Sequence, residues 1–268
     1  MPELPEVETV CRTIAPHLEG EEVRRVLVHE PRFRRPIPEE FAIRLQGRRV
    51  ERVHRRGKFV ILELGDGDRW AVHLGMSGRF LLGDPPPEAK HVHVEVEFRS
   101  GARVYLQDPR RFGACFLFRE ESELGNLGLE PLSDLFDGDA LWALRTAHPR
   151  LAIKTLLMDQ RLVVGVGNIY ANEALHQARV RPGRRARRLR RRESVAIVEA
   201  IREILRRSIA LGGSSLLDYR DAQGRPGTFQ QTLRVYNRAG EACDTCGAEI
   251  RSRVMGGRGT FWCPGCQS

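Results

Sequence analysis

Hydrophobic residues change their spacing near the middle of this 268-residue chain, from the period of a strand to the period of a helix. Between residues 22 and 118, short valine-rich runs alternate with polar residues, and Gly, Asp and Pro separate the runs. The run HVHVEVEF (residues 91–98) alternates strictly, which predicts a strand with one packed and one solvated face. Several such strands with turn residues between them predict a β-sandwich or a barrel.

Helical spacing flanks this strand region on both sides. A first helix is predicted from Glu6 to Leu18, and the segment GVGNIYANEAL joins two later helices through a glycine-rich turn. The proline-rich segment GDPPPEAK (residues 83–90) predicts a surface loop. The predicted strands cover residues 24–30, 58–65, 69–76, 91–98 and 102–108, and the later helices cover residues 139–147, 153–160, 169–177 and 194–211.

Four of the six cysteines predict a zinc site near the end of the sequence. They form two Cys-x2-Cys pairs, CDTC and CPGC, separated by about sixteen residues, which is a spacing typical of zinc ligands. Four thiolates complete a tetrahedral shell, so one structural Zn2+ is predicted, and disulfide pairing is disfavoured because no secretory signal is present. The ligands are Cys243, Cys246, Cys263 and Cys266, whereas Cys11 and Cys115 lie among apolar residues and are predicted to be inert core thiols.

The charge of the chain points toward a polyanionic partner. The formal charge is +9, and the stretch from Arg179 to Arg192 holds nine arginines and no acid, so one segment accounts for the whole excess. Two interpretations stay open for this segment: a solvated, mobile loop, or a surface that faces phosphates. No apolar run reaches the length of a membrane span, so we expect a cytoplasmic protein without a membrane partner.

The chain begins MPELPEVETV, and its second residue is chemically informative. Pro5 and the nearby acids suit a first helical turn, but helix formation does not explain Pro2. Methionine before a small residue is normally removed, which would leave Pro2 as a free secondary amine. An α-amino group titrates near about 8, far below lysine, so part of it is unprotonated and nucleophilic at neutral pH.

Six motifs together resemble the bacterial formamidopyrimidine-DNA glycosylase family. They are PELPEVET, RRGKF, HLGMSG, DPRRFG, GVGNIYANEAL and the cysteine pairs with GRGTFW, and they occur in the same order over residues 2–266. The resemblance implies an α+β multidomain fold. It comprises an N-terminal β-sandwich catalytic domain with an N-terminal helix (1–130), a helical helix–two-turn–helix DNA-binding domain with a lesion-recognition loop (131–231), and a C-terminal zinc-finger β-hairpin (232–268). The lesion pocket is expected in the loop over residues 214–231.

The resemblance also assigns the reaction. Pro2 is the implied nucleophile that forms a Schiff base with the sugar, and Glu3 is the implied acid that protonates the sugar ring oxygen. Glu6 follows one helical turn later and is expected to face the same side. Lys58 is the implied proton carrier for β-elimination, and Arg258, on the zinc hairpin, is implied to grip the lesion's phosphates and to assist δ-elimination. Helix-dipole, strand-edge and generic phosphate roles are the plainer alternatives for these side chains.

Further residues match positions that contact DNA in the family. Met76, Arg110 and Phe112 match a triad that fills the gap left by a flipped nucleotide, although Met76 and Phe112 alone would more often be core residues. The remaining matches are predicted contacts with phosphates or the flipped nucleotide: His91, Lys154, Asn168 and, as a substitute for a lysine, Arg150. The competing interpretation of Asn168 is that it caps the following helix.

These residues predict a DNA-repair enzyme that is a zinc-containing monomer acting on damaged double-stranded DNA. By resemblance it is a glycosylase and abasic-site lyase for oxidised purines such as 8-oxoguanine and formamidopyrimidines. An endonuclease VIII-like enzyme for oxidised pyrimidines is the nearest alternative, but the residues from Leu4 through Val-Glu-Thr favour the purine-lesion branch. A non-catalytic zinc DNA-binding protein is the alternative from another class, and it would not need an N-terminal amine.

Overall fold

The computed structural model describes residues 1–84, 89–215 and 219–268 and divides into two compact units. The first unit contains Met1–Gly125 and Ile209–Gln230, and the second contains Asn126–Ser208 and Gln231–Ser268. Parts of the predicted surface loop (83–90) and of the predicted lesion loop (214–231) lie outside the described residues. The division into three domains at residues 130 and 231 stays a prediction.

Two antiparallel four-stranded sheets form the first unit, together with helix α1. The strand order is β1-β6-β7-β5 in one sheet and β2-β3-β4-β8 in the other. The elements are α1 (Leu4–Leu18), β1 (Val23–Val28), α2 (Phe41–Leu45), β2 (Val50–Arg56), β3 (Phe59–Leu64), β4 (Arg69–His73), β5 (Arg79–Leu82), β6 (Val92–Phe98), β7 (Arg103–Gln107) and β8 (Ala114–Phe118).

The two sheets pack against each other around one apolar core. Trp70 of β4 meets Phe80 of β5 at 5.5 Å between ring centroids, and both side chains are fully buried. Strand β6 shows the predicted alternation, since its valines are buried while Glu95 and Glu97 are partly exposed. His93 departs from that alternation because it is buried, edge-on to the ring of Phe33.

The two cysteines outside the zinc motif are core residues, as predicted. Cys11 of α1 is buried and its thiol donates to the carbonyl of His54 at 3.3 Å. Cys115 of β8 is buried and accepts a hydrogen bond from the indole of Trp70 at 3.2 Å. Burial raises the pKa of Cys115 to about 12 and raises that of Cys11 as well, so both thiols stay protonated and unreactive.

The second unit is helical and ends in a β-hairpin. Together with the sandwich and the N-terminal helix, it confirms the predicted fold class. Within the described ranges, no helix is both long and apolar enough to cross a membrane. The elements are α3 (Gly138–Ala147), α4 (Ile153–Met158), α5 (Asn168–Gln177), α6 (Arg191–Ala210, whose last two residues belong to the first unit), β9 (Arg251–Met255) and β10 (Arg258–Trp262).

Candidate active site and nucleic-acid interface

The start of α1 buries two carboxylates next to Pro2. Glu3 is the N-cap, and a reciprocal capping box joins it to Glu6: the Glu3 side chain accepts from the Glu6 backbone, and Glu6 Oε2 accepts from the Glu3 N–H at 2.7 Å. Pro2, Glu3 and Glu6 are all buried. The chain therefore builds its first helical turn around acids that are excluded from solvent, as a general acid requires.

Glu6 also holds the loop that follows α6. Its second carboxylate oxygen, Oε1, accepts the backbone N–H of Ser214 at 2.7 Å, and the Tyr219 hydroxyl donates to the Glu6 carbonyl at 3.2 Å. Gly213 has φ +85°, and an added Cβ there would lie 3.1 Å from the Glu6 side chain. Burial, together with the charge of Glu6, raises the pKa of Tyr219. Glu6 thus holds Ser214, at the start of the predicted lesion loop, against α1 by a hydrogen bond.

Lys58 lies at the turn between β2 and β3 and is 7% exposed. Arg55 connects this turn to α1, because its Nε donates to Glu8 at 3.2 Å and its Nη1 donates to the carbonyl of Gly57 at 3.0 Å. Arg55 therefore links the turn that carries Lys58 to the first helix. Sequence reasoning did not identify Arg55, although it stands in the motif RRGKF.

His73 is a second residue at this site that sequence reasoning missed. It is paired with Phe59 across strands β3 and β4, and Phe59 directly follows Lys58 in the sequence. Burial, and after it the charge of Lys58, lower the pKa of His73 to about 4. The imidazole is therefore neutral at physiological pH, and its Nδ1 accepts the N–H of Gly75 at 3.0 Å. This hydrogen bond shapes the start of the loop that carries Met76.

Two adjoining loops carry the predicted void-filling triad. One follows β4 and contains Met76, and the other precedes β8 and contains Arg110 and Phe112. Met76 is 39% exposed and Phe112 is 45% exposed, so neither is the core residue that the alternative interpretation suggested. The guanidinium of Arg110 lies 4.7 Å from the centre of the Phe112 ring. A Cβ on Gly75 would lie 2.5 Å from backbone atoms of Phe112 and of Gly113, so the loops touch backbone to backbone.

A buried carboxylate, Asp108, holds both loops. Asp108 is fully buried and accepts from the Ser77 hydroxyl at 2.8 Å, from the Gly113 N–H at 2.9 Å and from the Arg110 N–H at 3.3 Å. Its backbone carbonyl accepts from His93 Nε2 at 2.8 Å. The Asp-Pro pair in DPRRFG signals a turn, but the sequence does not show that the turn reaches a second loop.

The substitution Asp108→Asn tests this arrangement. The amide of asparagine keeps the shape of the carboxylate, but its NH2 group is a donor and would face groups that donate to Asp108. One of these groups, the backbone N–H of Gly113, cannot accept a hydrogen bond. We expect the free energy of unfolding of the first unit to fall by about 1–3 kcal/mol. The rate of base excision from a lesion-containing duplex should also fall, because the two loops would no longer be held in their relative positions. Thermal unfolding and single-turnover excision measure the two effects, and Asp134→Asn, at an exposed aspartate, is the control. Unchanged melting with unchanged excision would contradict this role.

His91 lies at the mouth of an open cavity in the first unit. It ends a 3-10 turn before β6, and its backbone carbonyl accepts the N–H of Asp108 at 3.0 Å. The cavity has a volume of about 870 Å3, and Lys90, Arg32 and Arg111 contribute cationic side chains to its lining. His91 is half-buried, which leaves the imidazole accessible to a polar ligand.

The second unit places three further predicted residues in different environments. Gly167 is the N-cap of α5, so the interpretation of Asn168 as a cap is wrong, and Asn168 is the half-buried first residue of that helix. Arg150 is exposed and its carbonyl accepts from Arg185 at 2.5 Å. Lys154 is 2% exposed and donates to the carbonyl of Gly259 at 2.9 Å and to the Thr260 hydroxyl at 2.7 Å. Its predicted contact with a phosphate stays a prediction.

The four predicted zinc ligands converge beside the hairpin. Their sulfur atoms lie within 4.8 Å of one another, with 3.8 Å between Cys243 and Cys266 and 3.3 Å between Cys246 and Cys263. A tetrahedral Zn2+ with Zn–S bonds of about 2.3 Å needs sulfurs separated by about 3.8 Å, so the set fits one structural zinc ion. His176, missed in the sequence, places Nε2 3.8 Å from the Cys243 sulfur and can support that thiolate.

Buried polar groups on α4 and α5 fasten the zinc module. The carboxylate of Glu173 accepts three consecutive backbone N–H groups, those of residues 234–236, at 2.8, 3.0 and 2.8 Å. Asn172 accepts the N–H of Phe261 at 2.9 Å, next to the residues that Lys154 holds. Arg258, the first residue of β10, is exposed beside the Gly256–Gly257 turn. The hairpin therefore presents Arg258 to solvent from a base that is held by helices.

Comparison with protein families finds three matching domains. Models of the formamidopyrimidine-DNA glycosylase N-terminal domain and H2TH domain match residues 1–115 and 127–219, and a model of the zinc finger found in FPG and IleRS matches residues 240–268.

The chain belongs to the formamidopyrimidine-DNA glycosylase family.

Individual relatives resemble the chain over its whole length. The formamidopyrimidine-DNA glycosylase of Xanthomonas campestris pv. campestris (strain B100) is 45% identical over all of both chains. The structure of a Lactococcus lactis glycosylase mutant, G226P, with Fapy-dG-containing DNA has a TM-score of 0.90 at 34% identity and full coverage of both chains. The wild-type Lactococcus lactis enzyme with DNA containing an oxidised pyrimidine has a TM-score of 0.88 at 34% identity, again with full coverage.

Proposed function

We propose that this chain is a DNA glycosylase and abasic-site lyase of base excision repair that removes oxidised purines from duplex DNA. The observation that carries the proposal is the first turn of α1, where Pro2 adjoins two buried carboxylates. Membership of the formamidopyrimidine-DNA glycosylase family supports it, and so does the Lactococcus lactis relative that holds Fapy-dG-containing DNA. A zinc-dependent binding module would have no use for a buried acid beside its N-terminal amine.

The chemistry begins at the nitrogen of Pro2, once Met1 has been removed. The amine attacks C1′ of the damaged nucleotide, the bond from C1′ to the base breaks, and the base leaves with the bonding electrons. Glu3 gives a proton to the sugar ring oxygen, which opens the ring and leaves an iminium, the Schiff base. Glu3 directly follows Pro2, and its side chain is buried and accepts the backbone N–H of Glu6, which holds this acid at the start of α1.

Strand cleavage follows from the same intermediate. The iminium acidifies the proton on C2′, and its removal expels the 3′ phosphate in a β-elimination; a second elimination expels the 5′ phosphate. We assign Lys58 as the proton carrier of the first step and Arg258 as the group that holds the phosphates during the second. Arg55 and the helix-anchored zinc hairpin position these two side chains within their respective units.

Access to the base requires that the nucleotide leave the helix, at a cost of a few kcal/mol. In the proposal, Met76 and Phe112 replace its stacking, and Arg110 donates to the orphaned partner base. The exposure of the two apolar side chains on adjoining loops supports this assignment. His91, Arg150, Lys154 and Asn168 are proposed contacts with DNA in a monomeric, cytoplasmic enzyme.

Trapping with borohydride tests the function. The chain with Pro2 at its N-terminus is incubated with a duplex containing 8-oxoguanine opposite cytosine, and we expect a covalent adduct in high yield. The same chain retaining Met1 is the control, and it should bind the duplex but form no adduct, because the amine is blocked. Absence of an adduct with the free amine would overturn the assignment as a glycosylase that acts through Pro2.

A second duplex distinguishes the two lesion classes. The Lactococcus lactis relative has been captured with oxidised-pyrimidine DNA, so this lesion is the second candidate substrate. We expect the purine adduct to form faster than the pyrimidine adduct at equal enzyme concentration. The reverse order would place the chain with the pyrimidine-specific enzymes.

A further inference from the structure

The nine-arginine segment (residues 179–192) is an ordered part of the second unit. Four of its residues are buried, namely Val180, Pro182, Ala186 and Leu189. Its backbone is also held: the N–H of Ala186 donates to Leu151 at 2.8 Å, and the carbonyl of residue 184 accepts from Ile153 at 2.8 Å. The buried side chains alternate with arginines, so the segment is fixed in place and cannot be the mobile, solvated loop that its composition allowed.

Four of the nine arginines serve as anchors for the segment. Arg184 forms an ion pair of 2.7 Å with Glu193, and both side chains are largely buried. Arg185 donates to the carbonyl of Arg150 at 2.5 Å, and Arg191 pairs with Asp139 at 2.6 Å. The fourth, Arg190, lies 3.6 Å from Glu193. Glu193 and Asp139 are the acids that form ion pairs with the segment within the described residues.

The other five arginines form the outer arginine surface. All five are exposed, and their guanidinium groups form no hydrogen bond or ion pair with any residue in the ranges 1–84, 89–215 and 219–268. They therefore carry uncompensated positive charge on a fixed backbone, close to Arg150, which is also exposed. The five residues are Arg179, Arg181, Arg187, Arg188 and Arg192.

This surface adjoins the zinc module. The carbonyl of Arg179 accepts the N–H of Ser268 at 3.2 Å, and the N–H of Arg181 donates to the carbonyl of Ser268 at 3.1 Å. The guanidinium of Arg253, on β9, packs so closely on Gly183 that an added Cβ would lie 2.3 Å from it. Positive charge thus continues from the segment onto the hairpin that presents Arg258.

We infer that the outer arginine surface binds the backbone phosphates of duplex DNA away from the lesion. The inference rests on the proposed function and assigns this segment a separate task, sequence-independent affinity. Guanidinium groups match phosphate oxygens with paired N–H donors, and each neutralised phosphate releases counterions. An acidic protein partner is a weaker fit, because isolated exposed ion pairs contribute only about 0–1 kcal/mol each. Duplex DNA offers phosphates at regular spacing along a rigid surface.

The test replaces all five outer arginines by glutamine and measures binding to an undamaged duplex over a range of KCl concentrations. The slope of log K against log salt falls by about 0.9 for each lost phosphate contact, so we expect it to shrink by about 4. The matched control replaces five exposed arginines of the first unit, Arg12, Arg24, Arg25, Arg52 and Arg99, and should change the slope by less than about 1. A five-lysine variant at the outer positions should restore most of the slope.

Three outcomes overturn the inference: an unchanged slope in the glutamine variant, an equal loss in the control variant, or a loss seen with single-stranded RNA and absent with duplex DNA. Thermal unfolding shows whether the glutamine variant is folded, and the lysine variant decides the question if it is not. Borohydride trapping on lesion duplex at low salt is measured in parallel. A normal adduct with an unchanged slope would refute the arginine surface alone, whereas loss of the adduct in the unaltered chain would refute the proposed function.

Discussion

Removal of the zinc ion is expected to abolish δ-elimination while the first unit stays folded. Among the described residues, the buried apolar core around the metal comprises Val235, Cys243, Ile250 and Cys263, and two of these four are zinc ligands. Structural zinc contributes about 10–16 kcal/mol to such small modules, far more than a core of this size can supply. Without the ion, the hairpin loses the base that presents Arg258. A chelator should therefore reduce δ-elimination products to background.

Hydrogen exchange and product analysis measure this effect. Amides over 251–262 should exchange rapidly after chelation, while those of β3 and β4 keep their protection. Cys246→Ser, at an exposed ligand, should behave like the chelated protein. Cys115→Ala is the control, because it removes a buried thiol that does not reach the metal. Normal δ-elimination by protein with less than about 0.1 equivalent of zinc would show that the site is dispensable.

Replacement of Glu3 by glutamine is expected to slow base excision by about 10²–10⁴-fold, the usual contribution of a general acid. Glutamine keeps an acceptor oxygen for the capping box, so α1 should form normally. A preformed abasic site is in equilibrium with its open-chain aldehyde, which the amine can attack without protonation of the ring oxygen by the enzyme. Cleavage of that substrate should remain within about tenfold of the unaltered chain. The substitution thus separates excision from cleavage.

Single-turnover rates on an 8-oxoguanine duplex and on an abasic duplex test this separation. Glu39→Gln is the matched control, since Glu39 is an exposed glutamate of the same unit. Its excision rate should change far less than that of Glu3→Gln. An equal loss on both substrates would indicate a general disturbance of the N-terminus, and no loss on either would exclude Glu3 as the acid.

Local sequence patterns predicted the elements in which apolar and polar residues recur with the period of a helix or a strand. The alternation in β6 and the helical spacing in α1 were sufficient because one face of each is apolar and the other polar. Strand β2 (VERVHRR) was missed because basic residues interrupt its apolar face. Strand β5, with four residues, is too short to show a period, and β8 (ACFLF) is almost uniformly apolar.

In the candidate site, too, some residues could be predicted from the sequence and others could not. The residues with distinctive chemistry could be named from motifs, and the cysteines converge as their spacing implied. The residues that hold them could not be named, because Asp108, Glu173 and Lys154 act on segments remote in sequence. Lys154 is the clearest case: the sequence indicated a DNA contact, and the structure adds hydrogen bonds from its ammonium group to residues 259 and 260 of the hairpin. Such pairings depend on tertiary structure and carry no local signal.

The backbone contact between the loops of Met76 and Phe112 limits how partner-base preference can evolve. At Gly75 even a single methyl group would collide with the neighbouring loop, and Asp108 fixes the donors of both loops at once. A longer or stiffer loop on one side would displace the other, along with the arginine that faces the orphaned base in the proposed complex. New specificity should therefore arise from paired changes in the two loops, and grafting one loop from a relative should fail where exchange of both succeeds.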